Sequence, residues 1–264
     1  MLILRSLAYN VVFYVSLIGQ MIFWTPFYFL APRRLAWYVP KFWARSNLWL
    51  LEKIAGTRFE LTGQENLPEG SYILAPKHQS FLDAFAFVPW VPDALYILKR
   101  ELMWIPVFGW YVGRMKMVPV KRGDRSRALK DVVAKTTERM VEGRQLLIYP
   151  EGTRRAPGEK PNYKYGIVEL YARLGVPVVP VAHMAGLWWP RRKFLRHPGL
   201  VKAKILPAIP AGLPRDEFMA RLIADTEAQC DAFLLEAADG PNPPPFPPTA
   251  RARLAELRVE KPSA

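Results

Sequence analysis

Ser71-Tyr72-Ile73-Leu74-Ala75-Pro76-Lys77-His78-Gln79-Ser80-Phe81-Leu82-Asp83 runs from a short apolar stretch, past a proline, to a histidine and then a carboxylate five residues on. Ser71 to Ala75 reads as a strand, and Phe81 to Val88 as a helix entered after a short turn. Units of this kind assemble into a sheet with helices on its faces, and ligands bind where the strands end. His78 therefore stands at the open edge of such a sheet. Residues five apart on a regular helix point about 140° apart. His78 and Asp83 meet only if His78 lies in the turn before the helix or at its first residue. In that arrangement Asp83 holds one ring nitrogen as a donor and leaves the other free to accept a proton.

Working outward, the alternation continues. Leu95 to Lys99, Lys116 to Val120, Gln145 to Tyr149, Val176 to His183 and Lys202 to Ile209 read as strands. Arg125 to Gly143 reads as a helix with Leu129, Val132, Val133, Thr136 and Met140 on one face. Tyr165 to Leu174 is a helix stopped by Gly175, and Arg215 to Ala238 is an amphipathic helix using Phe218, Leu222, Thr226, Phe233 and Ala237. The fold predicted is α/β, a mixed sheet flanked by helices over residues 56–239. Six prolines between Pro241 and Pro248 make residues 240–264 a stiff, mostly disordered tail with no catalytic part.

A second stretch, Tyr149-Pro150-Glu151-Gly152-Thr153-Arg154, follows a predicted strand as a tight turn. Arg154 offers a rigid fork for a phosphate. Gly152 lets the backbone approach closely or take positive φ. Glu151 positions Arg154 or accepts from a hydroxyl. The two stretches together describe a site that takes a proton from a hydroxyl while holding an anion nearby. The plainer readings are a surface histidine with a capping Asp83, and an ordinary salt-bridged turn. Ser80 reads as a helix cap rather than a nucleophile. His183 and His197 have no acid at the catalytic spacing and are read as non-catalytic.

A net charge of +14 favours anionic partners. Nine Trp point to a membrane, since Trp concentrates where water meets headgroups, and aromatics gather in the apolar N-terminus rather than beside a basic groove, which argues against nucleic acid. Cys230 is the sole cysteine, so an intramolecular disulfide is excluded. Neither Cys/His metal-ligand spacing nor a Gly-rich nucleotide loop occurs, so neither a metal nor a cofactor is expected. The runs Lys99 to Lys130 and Met184 to Lys204 are strongly cationic and read first as solvated or membrane-facing surface.

No charged residue lies between Arg5 and Arg33, and Val11 to Leu30 is almost wholly apolar, long enough for a hydrocarbon core of about 30 Å. The run is too long for a cleaved signal peptide, and residues 1–55 are read as a helical membrane anchor. Trp37, Trp43 and Trp49 alternate with Arg33, Arg34, Lys41, Arg45 and Lys53, a mixture suited to the headgroup level. Their spacing of six gives about 240° between successive positions and no clean stripe. Pro26, Pro32 and Pro40 are expected to break or kink the segment. A true span and a helical pair within one leaflet both stay open. The positive-inside bias would orient a true span with the domain in the cytoplasm, and either arrangement is read as placing the domain on the cytoplasmic face of the inner membrane.

The two motifs, in this order and behind an apolar N-terminus, resemble the glycerolipid acyltransferase family of bacterial 1-acyl-glycerol-3-phosphate acyltransferases. That family carries Asn-His-x4-Asp and Phe-Pro-Glu-Gly-Thr-Arg; here Lys77 stands in the Asn place and Tyr149 in the Phe place. Lys99-Arg100-Glu101, followed by Gly109, resembles its second block and makes Lys99 and Arg100 candidates for binding phosphate of donor or acceptor. Val176 to Val181 resembles the fourth block, whose apolar residues help house the acyl donor, and a buried strand is compatible with that. The resemblance implies a membrane-bound O-acyltransferase with His78 as general base oriented by Asp83. Glu151, Gly152, Thr153 and Arg154 would bind substrate. The acceptor would be lysophosphatidic acid and the co-substrate acyl-CoA or an acyl-carrier protein, at an anionic membrane surface and without nucleic acid. It also favours the helical pair in one leaflet. Two alternatives remain: an acyltransferase for another lysolipid, and a non-enzymatic basic protein binding membranes or nucleic acid.

Overall fold

The computed structural model describes residues 1–120 and 125–260. Residues 121–124 of the cationic run and the last four of the tail lie outside the described residues. Among the described residues there are seven strands: β1 (Thr57–Thr62), β2 (Ile73–Pro76), β3 (Ala94–Lys99), β4 (Val118–Val120), β5 (Gln145–Leu147), β6 (Val178–His183) and β7 (Gly199–Ile205). They form one sheet in the order β1-β7-β6-β2-β5-β3-β4. All neighbours are parallel except β6 and β7. The sheet is mixed, as expected.

The central strands are covered on both faces, and their sequence shows it. Every residue of β2 (Ile-Leu-Ala-Pro) and of β6 (Val-Val-Pro-Val-Ala-His) is buried. Such strands read as continuous apolar runs rather than alternations. β1 was not foreseen, because Thr-Arg-Phe-Glu-Leu-Thr is a mixed edge strand and its register partner β7 is far along the chain, Thr57 facing Gly199.

The helices are α1 (Leu2–Leu30), α2 (Arg33–Ala36), α3 (Tyr38–Leu50), α4 (Asp83–Ala86), α5 (Phe108–Arg114), α6 (Arg125–Met140), α7 (Gly166–Leu174), α8 (Arg215–Asp239) and α9 (Pro248–Glu260). α6 buries Val132, Thr136 and Met140 as its periodicity predicts. α8 buries Phe218, Leu222, Thr226, Cys230 and Leu234, so a strict four-residue step replaces Phe233 and Ala237 in the expected face. The expected disordered tail is corrected: α9 follows the prolines and buries Ala250, Leu254 and Leu257. Arg253 forms a two-pronged ion pair with Asp231 of α8. The prolines end one helix and start the next rather than forming a free extension.

The N-terminal segment shares the hydrophobic core of the sheet domain. α1 has 29 residues, about 44 Å, and is long and apolar enough to cross a membrane. Pro26 lies inside it without ending it; the break comes at Ala31 and Pro32. Both of its ends pack on the α/β domain. Near the start, Ser6 Oγ accepts the Arg196 amide at 2.9 Å and Tyr9 packs edge-on to Trp189. Near the end, Tyr28 stacks on Tyr111 of α5 at 3.9 Å, and Arg114 donates to the Ala31 carbonyl at 2.9 Å. α1 therefore lies along the domain. The Trp reading of the next segment needs correction. Trp37 is buried with its indole N–H on Asp93 at 2.7 Å, Trp43 packs on Phe13 and Phe85, and of the three only Trp49 is exposed. A six-residue spacing turns each ring to a different face.

Candidate active site

β2 ends at Pro76, and the chain turns through Lys77 to Leu82 before α4 begins at Asp83. The helix starting at Asp83 leaves His78 in the turn, the first of the two placements that let the pair meet. His78 Nδ1 lies 3.2 Å from Asp83 Oδ2. The same oxygen accepts the backbone amides of Gln79 at 2.7 Å and Ser80 at 2.8 Å. An ionised carboxylate only accepts, so the proton of the His78–Asp83 bond is on Nδ1, and in the neutral ring Nε2 is the nitrogen that carries the lone pair. Burial works against the Asp83 charge. The neighbouring His183 imidazole, the His78 hydrogen bond and the Ser80 amide outweigh it and hold the carboxyl below its ordinary value. Ser80 is fully buried and its Oγ accepts the Leu82 amide at 3.2 Å, a bond within the turn rather than the helix cap expected of it, because α4 starts only at Asp83.

The second motif meets the first directly. The Arg155 amide donates to the His78 carbonyl at 2.8 Å. Gly152 closes the turn onto the Tyr149 carbonyl at 2.9 Å and takes φ +65°, a conformation that favours glycine. Thr153 is exposed beside it. Arg154 is half-buried, its guanidinium 5.5 Å from the centre of the Phe81 ring. Phe81 in turn meets Phe13 of α1 at 5.7 Å. One ring thus separates the cation of the second motif from the apolar N-terminal helix. Glu151, expected to position Arg154 or accept from a hydroxyl, is instead buried, with its carboxylate 3.2 Å from Lys77 Nζ.

Lys99 and Arg100 are exposed at the end of β3. Leu74 pairs with Leu147 and Leu147 with Tyr96, so counting along the strands sets Lys99 level with Lys77, two strands or about 10 Å away. Both cations share the sheet end with His78 without joining its hydrogen-bonded cluster. Gly109 lets α5 close on this segment, since a Cβ there would stand 2.0 Å from the Met103 carbonyl oxygen.

Two contributors escaped the sequence reading. Tyr149 stacks on His78, ring centres 3.9 Å apart and planes 16° from parallel, and its hydroxyl donates to the Asp83 carbonyl at 2.8 Å. His183, at the end of β6, is buried; Nε2 donates to the Lys77 carbonyl at 2.9 Å and Nδ1 accepts the Ala185 amide at 3.2 Å. Burial lowers its pKa despite Asp83, whose Oδ1 is 3.7 Å away. Both nitrogens of this neutral ring are occupied, so His183 buttresses the turn and has none free for proton transfer. The signal available was its position, two residues beyond the Pro76–Val181 register pair.

The comparisons with known proteins agree with this geometry. Residues 58–184 match the model of the Acyltransferase family. The 1-acyl-sn-glycerol-3-phosphate acyltransferase of Pseudomonas aeruginosa is 33% identical over 232 residues, covering 86% of this chain and 89% of the relative. The chain belongs to the acyltransferase family. A chloroplast 1-acyl-sn-glycerol-3-phosphate acyltransferase of Brassica napus is 32% identical over 69% of this chain and 53% of its own length. The crystal structure of the 1-acyl-sn-glycerophosphate acyltransferase PlsC from Thermotoga maritima shares the fold, with a TM-score of 0.72 at 22% identity, covering 88% of this chain and 98% of that one.

Proposed function

We propose that this acyltransferase moves an acyl chain from a thioester, acyl-CoA or acyl-carrier protein, to the free hydroxyl of 1-acyl-glycerol 3-phosphate, giving phosphatidic acid. The observation that carries the reading is the His78–Asp83 pair with Nε2 free, hydrogen-bonded through the His78 carbonyl to the turn that bears Arg154. His78 Nε2 takes the hydroxyl proton as the oxygen bonds to the thioester carbonyl carbon. Collapse of the tetrahedral adduct breaks the C–S bond, and the proton passes from His78 to the departing thiolate. The substrate supplies the nucleophile, so the buried Ser80 carries no acyl group. Arg154 receives the phosphate as a charge-assisted pair, while Lys99 and Arg100 present further cations at the same sheet end. The tail of the acceptor then runs past Phe81 toward Phe13 and α1.

An α1 fixed to the domain at both ends lies in the surface of a bilayer, within one leaflet, and the cationic domain sits on the cytoplasmic face of the inner membrane. The apolar groups Ile18, Ile22, Phe23 and Leu30 turn outward along it. The test is direct. Protein in vesicles is given lysophosphatidic acid with acyl-CoA, and separately with acyl-carrier protein thioester, beside His78→Ala. Phosphatidic acid from wild type and almost none from the variant is expected. Equal product from both proteins, or product from neither with either donor, overturns the reading.

A further inference from the structure

Lys77 is adjacent in sequence to the proposed base, yet its side chain turns inward. It is 4% exposed and the Glu151 side chain is fully buried. Lys77 Nζ is 2.8 Å from Glu227 Oε1 on α8 and 3.2 Å from Glu151 Oε1 in the second motif. Tyr163 completes the cluster, donating to Glu227 at 2.9 Å and placing its ring 5.4 Å from the ammonium. The Lys77 backbone is fixed too: its amide donates to Val181 at 3.0 Å and its carbonyl accepts from His183 at 2.9 Å. Neither oxygen of the Glu151 carboxylate has a hydrogen-bond partner among the described residues. A buried carboxylate so placed depends on a nearby cation, and Lys77 is the one at hand. Burial disfavours the ammonium, but Glu227 and Glu151 outweigh that and keep it charged, with a pKa above the ordinary lysine value.

We infer that Lys77 is a positioning residue: its ammonium, shared between Glu151 and Glu227, clamps the turn that carries Arg154 onto the turn that carries His78, and Glu151 acts within the enzyme rather than on the substrate. The ion cluster works beside two other links between the turns, the Arg155 amide on the His78 carbonyl and the Tyr149 ring stacked on His78. The clamp sets the distance between the base that takes the proton and the fork that holds the phosphate. Glu227 extends it to α8, so the end of the sheet and that helix are held by one cation.

The inference rests on the acyl-transfer reading, and a double-mutant cycle tests the two separately. Lys77→Met, Glu151→Gln and the double variant are made in the full chain. Each is assayed in vesicles for kcat and KM with lysophosphatidic acid, and melted by circular dichroism. Lys77→Met leaves a buried carboxylate unpaired; kcat is expected to fall by about a hundredfold through misplacement of the turns, with a lower melting temperature. The double variant removes both charges, while Glu227 keeps its Tyr163 partner and its solvent exposure. It is expected to be more stable and more active than Lys77→Met, since replacing a whole buried pair costs far less than breaking one. A double variant no more stable and no more active than Lys77→Met overturns the clamp. So does a folded Glu151→Gln with raised KM and a double variant worse than either single one, because Glu151 would then touch substrate. Should the wild type transfer no acyl group, the function reading fails on its own, and the melting cycle still decides whether Lys77 and Glu151 are coupled.

Discussion

α1 and the His78 turn invert the ordinary rule of burial in opposite directions. Along α1 large apolar groups face outward, Phe23 72% and Leu30 85% exposed. In the turns the polar groups face inward, with Asp83 and Glu151 each 1% exposed. Soluble proteins leave few contiguous apolar patches outside and few charges inside. Each departure needs its own compensation. Hydrogen bonds and opposite charges supply it for the turns; for the helix, a lipid phase does so under the reading proposed above. The seven-stranded sheet keeps closer to the rule, with the apolar residues of β2 buried throughout. Phe81 is where the two inversions touch, with Arg154 on one side and Phe13 on the other.

The sharpest way to break the comparison is to remove the chemistry from the turn and leave its architecture. His78→Ala is expected to lower kcat by 10²- to 10⁴-fold with an unchanged circular dichroism spectrum, because His78 gives Asp83 one hydrogen bond and two backbone amides remain. Activity within threefold of wild type would remove His78 from the reaction. Arg154→Ala comes next. Loss of a charge-assisted pair costs about 1.5–3 kcal/mol, so KM for lysophosphatidic acid should rise ten- to a hundredfold. An acceptor without phosphate should be little affected, and equal losses with both acceptors would deny Arg154 its phosphate.

The helix side of the comparison is tested by making it obey the ordinary rule. Phe23→Lys with Leu30→Lys puts charge on the exposed face of α1. Burying one such apolar side chain is worth about 1.5–3 kcal/mol, so partition into anionic vesicles, measured by flotation, should fall at least tenfold. Melting in detergent should hardly change, because these side chains touch little of the protein. Unaltered flotation would show that this face does not meet lipid.

Acid probes the buried side. The Asp83 carboxyl is held below its ordinary value of 3.8. Its contribution to stability is therefore complete above that pH and is lost as pH falls below it toward the folded-state pKa. The gap in melting temperature between wild type and Asp83→Asn should be widest above pH 3.8 and narrow as the pH is lowered further. A gap that stays constant or widens in acid would contradict the hydrogen-bonded, ionised Asp83.

Much of this was legible in the chain, and what was not shares one cause. β2, β5 and β6 announce themselves because buried parallel strands are locally apolar, and the five-residue spacing of His78 and Asp83 already demands a turn. The second motif is equally local, down to the positive φ of Gly152. β1 is hidden because its pairing with β7 spans most of the chain, from Thr57 to Gly199. The inward direction of Lys77 depends on Glu227, 150 residues on. Glu151, read as facing Arg154 or a hydroxyl, turns to Lys77 for the same reason. His183 reaches Asp83 across neighbouring strands rather than along the sequence. The prolines near residue 245 mark a break in both readings; only packing against α8 shows that a helix follows. Local patterns encode elements and turns, whereas buried polar partners are chosen by the fold.

The finest test of the inversion is the Tyr149 hydroxyl. The ring stacks on His78 and fixes the plane of the imidazole; the hydroxyl donates to the Asp83 carbonyl and fixes the start of α4. Burial, with Tyr96 and Asp83 nearby, pushes its pKa well above the ordinary tyrosine value, so the group stays a donor throughout the working range. Tyr149→Phe keeps the stack and loses one neutral hydrogen bond, worth about 0.5–1.5 kcal/mol. A two- to tenfold loss in kcat is expected, with KM unchanged because the hydroxyl points at backbone. Tyr149→Leu removes the stack as well and should lose more. If phenylalanine and leucine are equivalent, the ring does not orient the base, and the polar turn is held by Asp83 alone.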